Sequence, residues 1–213
     1  MLNVCTTIII GYSYKSVRRC LTEIHPHLIA WLSPVTRLKM GTSFGKYIKH
    51  WLALEKSNEF ESVILYKNHG PFSGGSLHHA HMQIIGMKYV DYRQNVTPEQ
   101  FQGVIVKKEK QIELNISTQP IIGFTEFNIV IENVEAIDTM ANYIQQTVRY
   151  ILTDFHKGCS SYNLFFYHLH GKIICKVVPR FVVSPLYVGY NIPQVSTKLE
   201  DVKQQLEQYL TMQ

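Results

Sequence analysis

An α+β fold built from two related halves is what this sequence predicts, and three observations carry it. Thirteen tyrosines and ten phenylalanines belong to the residue types that fill strands. Two long segments repeat their apolar residues at helical spacing. The order strand, strand, helix, strand, strand is followed by a strand pair and then by strand, helix, strand, strand, a repeat of layout rather than of sequence. The chain has 213 residues, 46% of them hydrophobic and 17% charged. That length suits one domain or two small, closely packed ones, and that composition buries a core rather than staying disordered. The halves are placed at residues 1–120 and 121–213.

The elements follow in order. "VCTTIIIGY" (4–12) and "HLIAWL" (27–32) are β-rich, and "SPV" (33–35) closes the second because proline cannot donate to a ladder. Phe44, Ile48, Trp51, Leu52 and Leu54 recur at helical spacing, which predicts an amphipathic helix over 42–57. "SVILYK" (62–67) reads as a buried strand. It leads into the loop "NHGPFSGGS", and "HAHMQIIGM" forms the strand after it. A connector over 91–102 holds Pro98, and "VIVKKEK" and "QIELNIS" read as paired strands. In the second half "FNIVIE" is a strand and 134–155 a long amphipathic helix. "SYNLFFYHL" and "GKIICKVV" form a hairpin turned at His170-Gly171, and "PRFVVSPLYVGYNIP" is extended. "VSTKLEDVKQQLEQYL" is a closing helix capped at Ser196 or Thr197.

The formal net charge of +5 suits an anionic ligand such as a nucleotide and is too small to argue for a nucleic-acid surface. Cysteines at 5, 20, 159 and 175 show no metal-type spacing, so reduced thiols and a cytoplasmic location are expected. The opening apolar run is short, with Arg18 and Arg19 after it rather than before it, and reads as a strand rather than a signal peptide. No apolar stretch approaches the roughly 20 residues that span a bilayer.

The segment with chemistry in it is "GPFSGGSLHHAHMQIIG" (70–86). On a strand, side chains alternate faces, so His79, His81 and Gln83 project to one side, alternate residues being about 6.6 Å apart. A neutral imidazole is a competent nucleophile near pH 7, and a carboxamide donates to a phosphoryl oxygen without adding charge. Gly70, Gly74 and Gly75 open backbone conformations closed to other residues, and such loops gather N–H groups around phosphate. Ser73 and Ser76 add hydroxyls, and Asn68 adds a donor and an acceptor. Two other readings stay open on the residues alone. His-x-His on a strand can present two zinc ligands, with His25, His27, His50, His69, His156, His168 and His170 available as further ones. The glycine loop can equally be a tight connection. His78, on the other face, is read as structural.

"YKNHGPFSGGSLHHAHMQIIG" resembles the active-site segment of the histidine triad (HIT) superfamily, and most closely its galactose-1-phosphate uridylyltransferase branch with the nucleotide phosphorylases related to it. The matching positions are Asn68 and Gly70, Gly74 and Ser76, and His79, His81 and Gln83. The glutamine separates this branch from the small HIT hydrolases, which carry a third histidine there. Weaker likeness extends over about 27–90 and 125–210, including "SPVTRLKM" and the Val-Gly-Tyr of "PLYVGYNIP". The resemblance implies two HIT-like halves, antiparallel sheets with helices packed on one face.

It also implies a nucleotidyltransferase. His81 is the nucleophile that takes a nucleoside monophosphate from one substrate and passes it to another phosphate. His79 orients the site, Gln83 holds the transferred group, and Ser76 and Asn68 bind phosphate oxygens. Lys176 and Arg180 are candidate cationic contacts to a phosphate, with a solvated or hairpin-stabilising role open equally. The substrate implied is a nucleotide or nucleotide sugar, with neither nucleic acid nor membrane as partner, and a homodimer is a further expectation. Departures from the pattern matter. Ala80 stands where proline is usual, Thr36 where a zinc-binding histidine falls, and Ile174 and Lys176 where a second metal site has His-x-His. No family-type zinc or iron, and no other cofactor, is therefore expected. Pro185 and Asn191 replace hexose-contacting residues. The alternatives carried forward are a HIT-type hydrolase or phosphorylase, and a nucleotide-binding module without catalysis.

Overall fold

The computed structural model describes residues 4–10, 40–75, 82–181 and 183–212, with side chains from Phe44 onward. The expected strand at 27–32 and the histidine segment 76–81 lie outside the described residues. Among the described residues, eight strands form a single antiparallel sheet: β1 (Val4–Ile10), β2 (Ser62–His69), β3 (Met82–Met87), β4 (Gly103–Glu109), β5 (Ile112–Ser117), β6 (Phe127–Ile131), β7 (Tyr162–Leu169) and β8 (Lys172–Pro179). Their order across the sheet is β1-β3-β2-β7-β8-β6-β5-β4. The fold is α+β, with the helices packed on one side of this sheet.

Four α-helices accompany it among the described residues. The first, α1 (Met40–Lys56), buries Phe44, Tyr47, Ile48 and Trp51, the 3-4 spacing that puts a stripe on one face. The Trp51 indole donates to the Val63 carbonyl at 2.8 Å and ties the helix to β2. The second, α2 (Ile137–Tyr150), buries Ile137, Met140, Ala141, Ile144 and Val148. A 3-10 turn at Val134–Ala136 precedes it and a π-helical turn at Ile151–Phe155 ends it, together filling the predicted 134–155. A short α3 (Pro185–Tyr190) interrupts the segment expected to be extended, because the Ser184 side chain accepts from the Leu186 N–H and Pro185 supplies a preset first helical φ. The last, α4 (Leu199–Thr211), starts later than its sequence signal. Ser196 spends its hydroxyl on the Lys198 N–H outside the helix, and Lys198 stands at the cap without a capping bond. Val202 and Leu206 of α4 join the same core.

Strand alternation gives the sheet two distinct faces. In β2, Val63, Leu65 and Lys67 are buried toward the helices, while Ile64, Tyr66 and Asn68 lie half-buried on the opposite face. β2 pairs with β7 from Leu65↔Phe166 to His69↔Tyr162, so a strand of the first half and one of the second meet in the middle of the sheet. The strand pair β4–β5 joins the sheet through β6, with Ile112↔Ile131 to Ile116↔Phe127 in register. The expected boundary at 120–121 thus falls between two directly paired strands.

Candidate functional site

The glycine-rich loop leaves β2 at the seam with β7, and its geometry explains its composition. Gly70 has φ +81°, and a Cβ there would sit 2.3 Å from the Ser160 carbonyl oxygen and 2.4 Å from Ser161 Oγ. Only glycine lets the chain turn this close to the incoming end of β7. Pro71–Ser73 then form one 3-10 turn. Its own groups are largely spent. The Phe72 N–H donates to Ser161 Oγ at 3.1 Å, and both the Ser73 N–H and its hydroxyl close back on the Gly70 carbonyl. The Ser73 hydroxyl, expected as a ligand contact, is therefore a turn-closing group. Gly74 is left-handed, with φ +77°, and Gly75 comes within 3.0 Å of the Asn68 side chain, measured from the position its Cβ would take. Among the described residues no acceptor takes the Gly74 or Gly75 N–H.

Asn68 stands directly opposite Asn163 across the seam. Asn163 Nδ2 donates to Asn68 Oδ1 at 2.6 Å and to the Ser73 carbonyl at 3.0 Å, and Arg180 Nη1 donates to Asn163 Oδ1 at 3.0 Å. The structure thus brings Asn68, Gly70, Gly74, Gly75 and Arg180 into one place. Asn163 was not singled out by motif. The signal available for it was a polar residue in the otherwise apolar run "YNLFFY", 1% exposed in the structure.

Gln83 shares the face of Asn68. It pairs with Tyr66, whose hydroxyl donates to Gln83 Oε1 at 2.8 Å. Burial raises the Tyr66 phenol, so the tyrosine keeps its proton and remains a donor near neutral pH. Ser76, His79 and His81 lie outside the described residues; β3 begins at Met82, the residue after His81.

On the helix side of the same strand end, Lys67 is 1% exposed and burial lowers its ammonium to about 8. His69 stacks on Tyr162 with ring centroids 4.7 Å apart, and burial and the Lys67 charge lower its pKa. Neither faces the carboxamide side.

Lys176 requires a correction. It is fully buried, its Nζ 2.9 Å from a Glu126 carboxylate that is also fully buried, and it donates to the Gln100 carbonyl at 2.8 Å. Glu126 also accepts from the N–H groups of Ile121 and Ile122. Burial lowers the Lys176 pKa while Glu126 raises it. An ammonium sealed under the 98–101 turn and matched to its own carboxylate is a structural charge, not a contact for a substrate phosphate.

The remaining described histidines disperse. His50 is exposed on α1, His156 lies against Phe181, His168 bonds Glu55 at 2.8 Å, and His170 occupies the β7–β8 turn with φ +50°. Burial raises the Glu55 carboxyl, opposed by the His168 hydrogen bond. Among the described residues no three His, Cys, Asp or Glu side chains are placed to hold a metal ion, and no helix is long and apolar enough to cross a membrane. Cys159 and Cys175 are free and buried.

A single antiparallel α+β sheet with a glycine loop and facing asparagines at its central seam defines the class of protein by architecture. The fold is shared with an ADP-glucose phosphorylase from Arabidopsis thaliana solved with ADP-glucose bound (TM-score 0.59, 13% identity, 79% of this chain and 66% of that one). It is shared too with a uridylyltransferase variant (TM-score 0.60, 13% identity, 79% and 71%). The chain belongs to the DUF4931 family: the N-terminal domain of this domain of unknown function matches residues 33–90 and its C-terminal domain residues 93–210. A DUF4931 protein from Bacillus cereus ATCC 10987 is 60% identical, with a TM-score of 0.73 over 98% of this chain and all of that one. A di-/tripeptide transporter of Lactobacillus helveticus is 28% identical over 90 residues, 42% of this chain; the match spans 18% of that curated relative's length.

Proposed function

We propose that this chain transfers a nucleoside monophosphate between phosphate-bearing substrates through a covalent adduct on His81. A nitrogen of the neutral His81 imidazole attacks the α-phosphorus of a nucleotide or nucleotide sugar. The phosphorus–nitrogen bond forms as the bond to the leaving phosphate oxygen breaks. An oxygen of the acceptor phosphate then attacks the same phosphorus, and the imidazole leaves. Splitting one displacement into two is what nucleophilic catalysis supplies. Such transition states spread charge over the phosphoryl oxygens, so positioned neutral donors carry much of the catalysis. In this reading Gln83, Ser76, Asn68 and the Gly74–Gly75 N–H groups supply those donors, His79 orients the reacting group, and Arg180 adds the positive charge. Lys176 is not among them.

The observation that carries the reading is the seam itself. Asn68, the loop glycines Gly74 and Gly75, whose N–H groups meet no acceptor among the described residues, and Arg180 gather at the strand end from which the chain runs on to His79 and His81. The fold it shares with a phosphorylase and a uridylyltransferase supports the same reaction class. The test is intact-mass spectrometry after incubation with UDP-glucose, ADP-glucose and diadenosine tetraphosphate. A nucleotidyl adduct is expected with at least one donor, and none with His81→Ala. Product analysis with water, inorganic phosphate or hexose phosphate as acceptor then separates hydrolase, phosphorylase and transferase. An adduct that persists in His81→Ala, or tight binding of every donor without turnover, overturns the proposal.

A further inference from the structure

The hydrogen bonds around Asn163 have a direction, and Arg180 sets it. A guanidinium offers donors and no acceptor, so Asn163 must turn Oδ1 toward Arg180, as the 3.0 Å contact shows. Its Nδ2 then faces β2 and the loop, where it donates to Asn68 Oδ1 and to the Ser73 carbonyl. An amide NH2 cannot accept, so Asn68 must answer with its oxygen. Among the described residues what is left of Asn68 is its NH2, 3.7 Å from where a Gly75 Cβ would lie and on the loop side of the seam.

We propose that Arg180 and Asn163 are positioning residues that fix the hydrogen-bond polarity of Asn68, so that an amide donor rather than a carbonyl lone pair meets a phosphoryl oxygen of the substrate. This rests on the nucleotide-transfer reading. It assigns the second half of the chain a part in the first half's loop. Rotating the Asn68 carboxamide by half a turn would place two acceptors against each other at the ligand, a loss rather than a neutral change. With Asn163 sealed from water and held on both ends, that rotation is blocked before any ligand arrives.

The test titrates inorganic phosphate into the full chain labelled with nitrogen-15 at asparagine. In the wild type the Asn68 side-chain NH2 signals move on phosphate addition, while those of Asn163 stay in place and exchange slowly with solvent. Asn163→Leu adds no charge and releases Asn68, and phosphate affinity falls about tenfold, the value of one hydrogen bond to a charged group. In an Asn68→Ala background the same Asn163→Leu change has almost no further effect, because the route runs through Asn68. A merely structural role would cost as much in either background, and that result, or wild-type affinity in Asn163→Leu, overturns the proposal. A wild type that binds no phosphate refutes the nucleotide reading instead. The phosphoryl contact of Asn68 falls with it; slow exchange of the Asn163 amide then sustains only the fixed polarity of Asn68, and fast exchange overturns that as well.

Discussion

Replacing Lys67 with methionine should make this protein more stable at neutral pH. The strand end next to the glycine loop carries an ammonium that is 1% exposed and faces the helices. Among the described residues no carboxylate pairs with it. Burial lowers it from 10.5 to about 8. At about 1.4 kcal/mol per pH unit that fall corresponds to about 3 kcal/mol held against the fold. The sign follows from proton binding. Below about pH 8 both folded and unfolded chains hold the proton, and the cost is present in full. Between about 8 and 10.5 the unfolded chain keeps the proton and the folded chain has lost it. Stability therefore rises with pH across that window. Methionine fills a similar volume without the charge. Urea unfolding at pH 7 should show Lys67→Met ahead by about 3 kcal/mol, with the two proteins converging by about pH 10.5. A Lys67→Met protein that is less stable at pH 7, or a gap that does not change with pH, would refute the reasoning. Either result would mean that the buried amine meets a compensating partner.

Two other substitutions probe the seam and its neighbourhood. Gly70→Ala places a methyl 2.3 Å from the Ser160 carbonyl at a left-handed φ; it should cost at least about 2 kcal/mol in urea unfolding and remove phosphate binding, and wild-type phosphate affinity would contradict the account of the loop. Lys176→Met strands the buried Glu126 carboxylate and should cost about 3 kcal/mol with phosphate affinity unchanged at a temperature where the variant is folded. Loss of affinity without loss of stability would return Lys176 to the ligand.

What could be read along the chain was whatever depends on neighbours in sequence. The helical spacing of Phe44, Ile48, Trp51, Leu52 and Leu54 announced α1 because a helix face is a local property. The glycines of 70–75 announced a sharp turn because left-handed φ is a local demand. The run Asn68-x-Gly, Gly-x-Ser, His-x-His-x-Gln marked where to look. Local signals failed where local alternatives compete. Ser184 and Pro185 start a one-and-a-half-turn helix in a segment that reads as extended, and Ser196 caps nothing.

Only the tertiary structure decided which distant groups meet. Asn68 and Asn163 are 95 residues apart, and they face each other because β7, not β1, takes the free edge of β2. Lys176 and Arg180 look equivalent along β8 and its exit, four positions apart. One is sealed beneath the 98–101 turn against Glu126, and the other reaches the loop through Asn163. The physical reason is that burial and pairing belong to the assembled sheet. A strand's sequence fixes the face on which a charge is presented, while the strands and turns that cover that face decide whether the charge is spent internally or offered to a ligand.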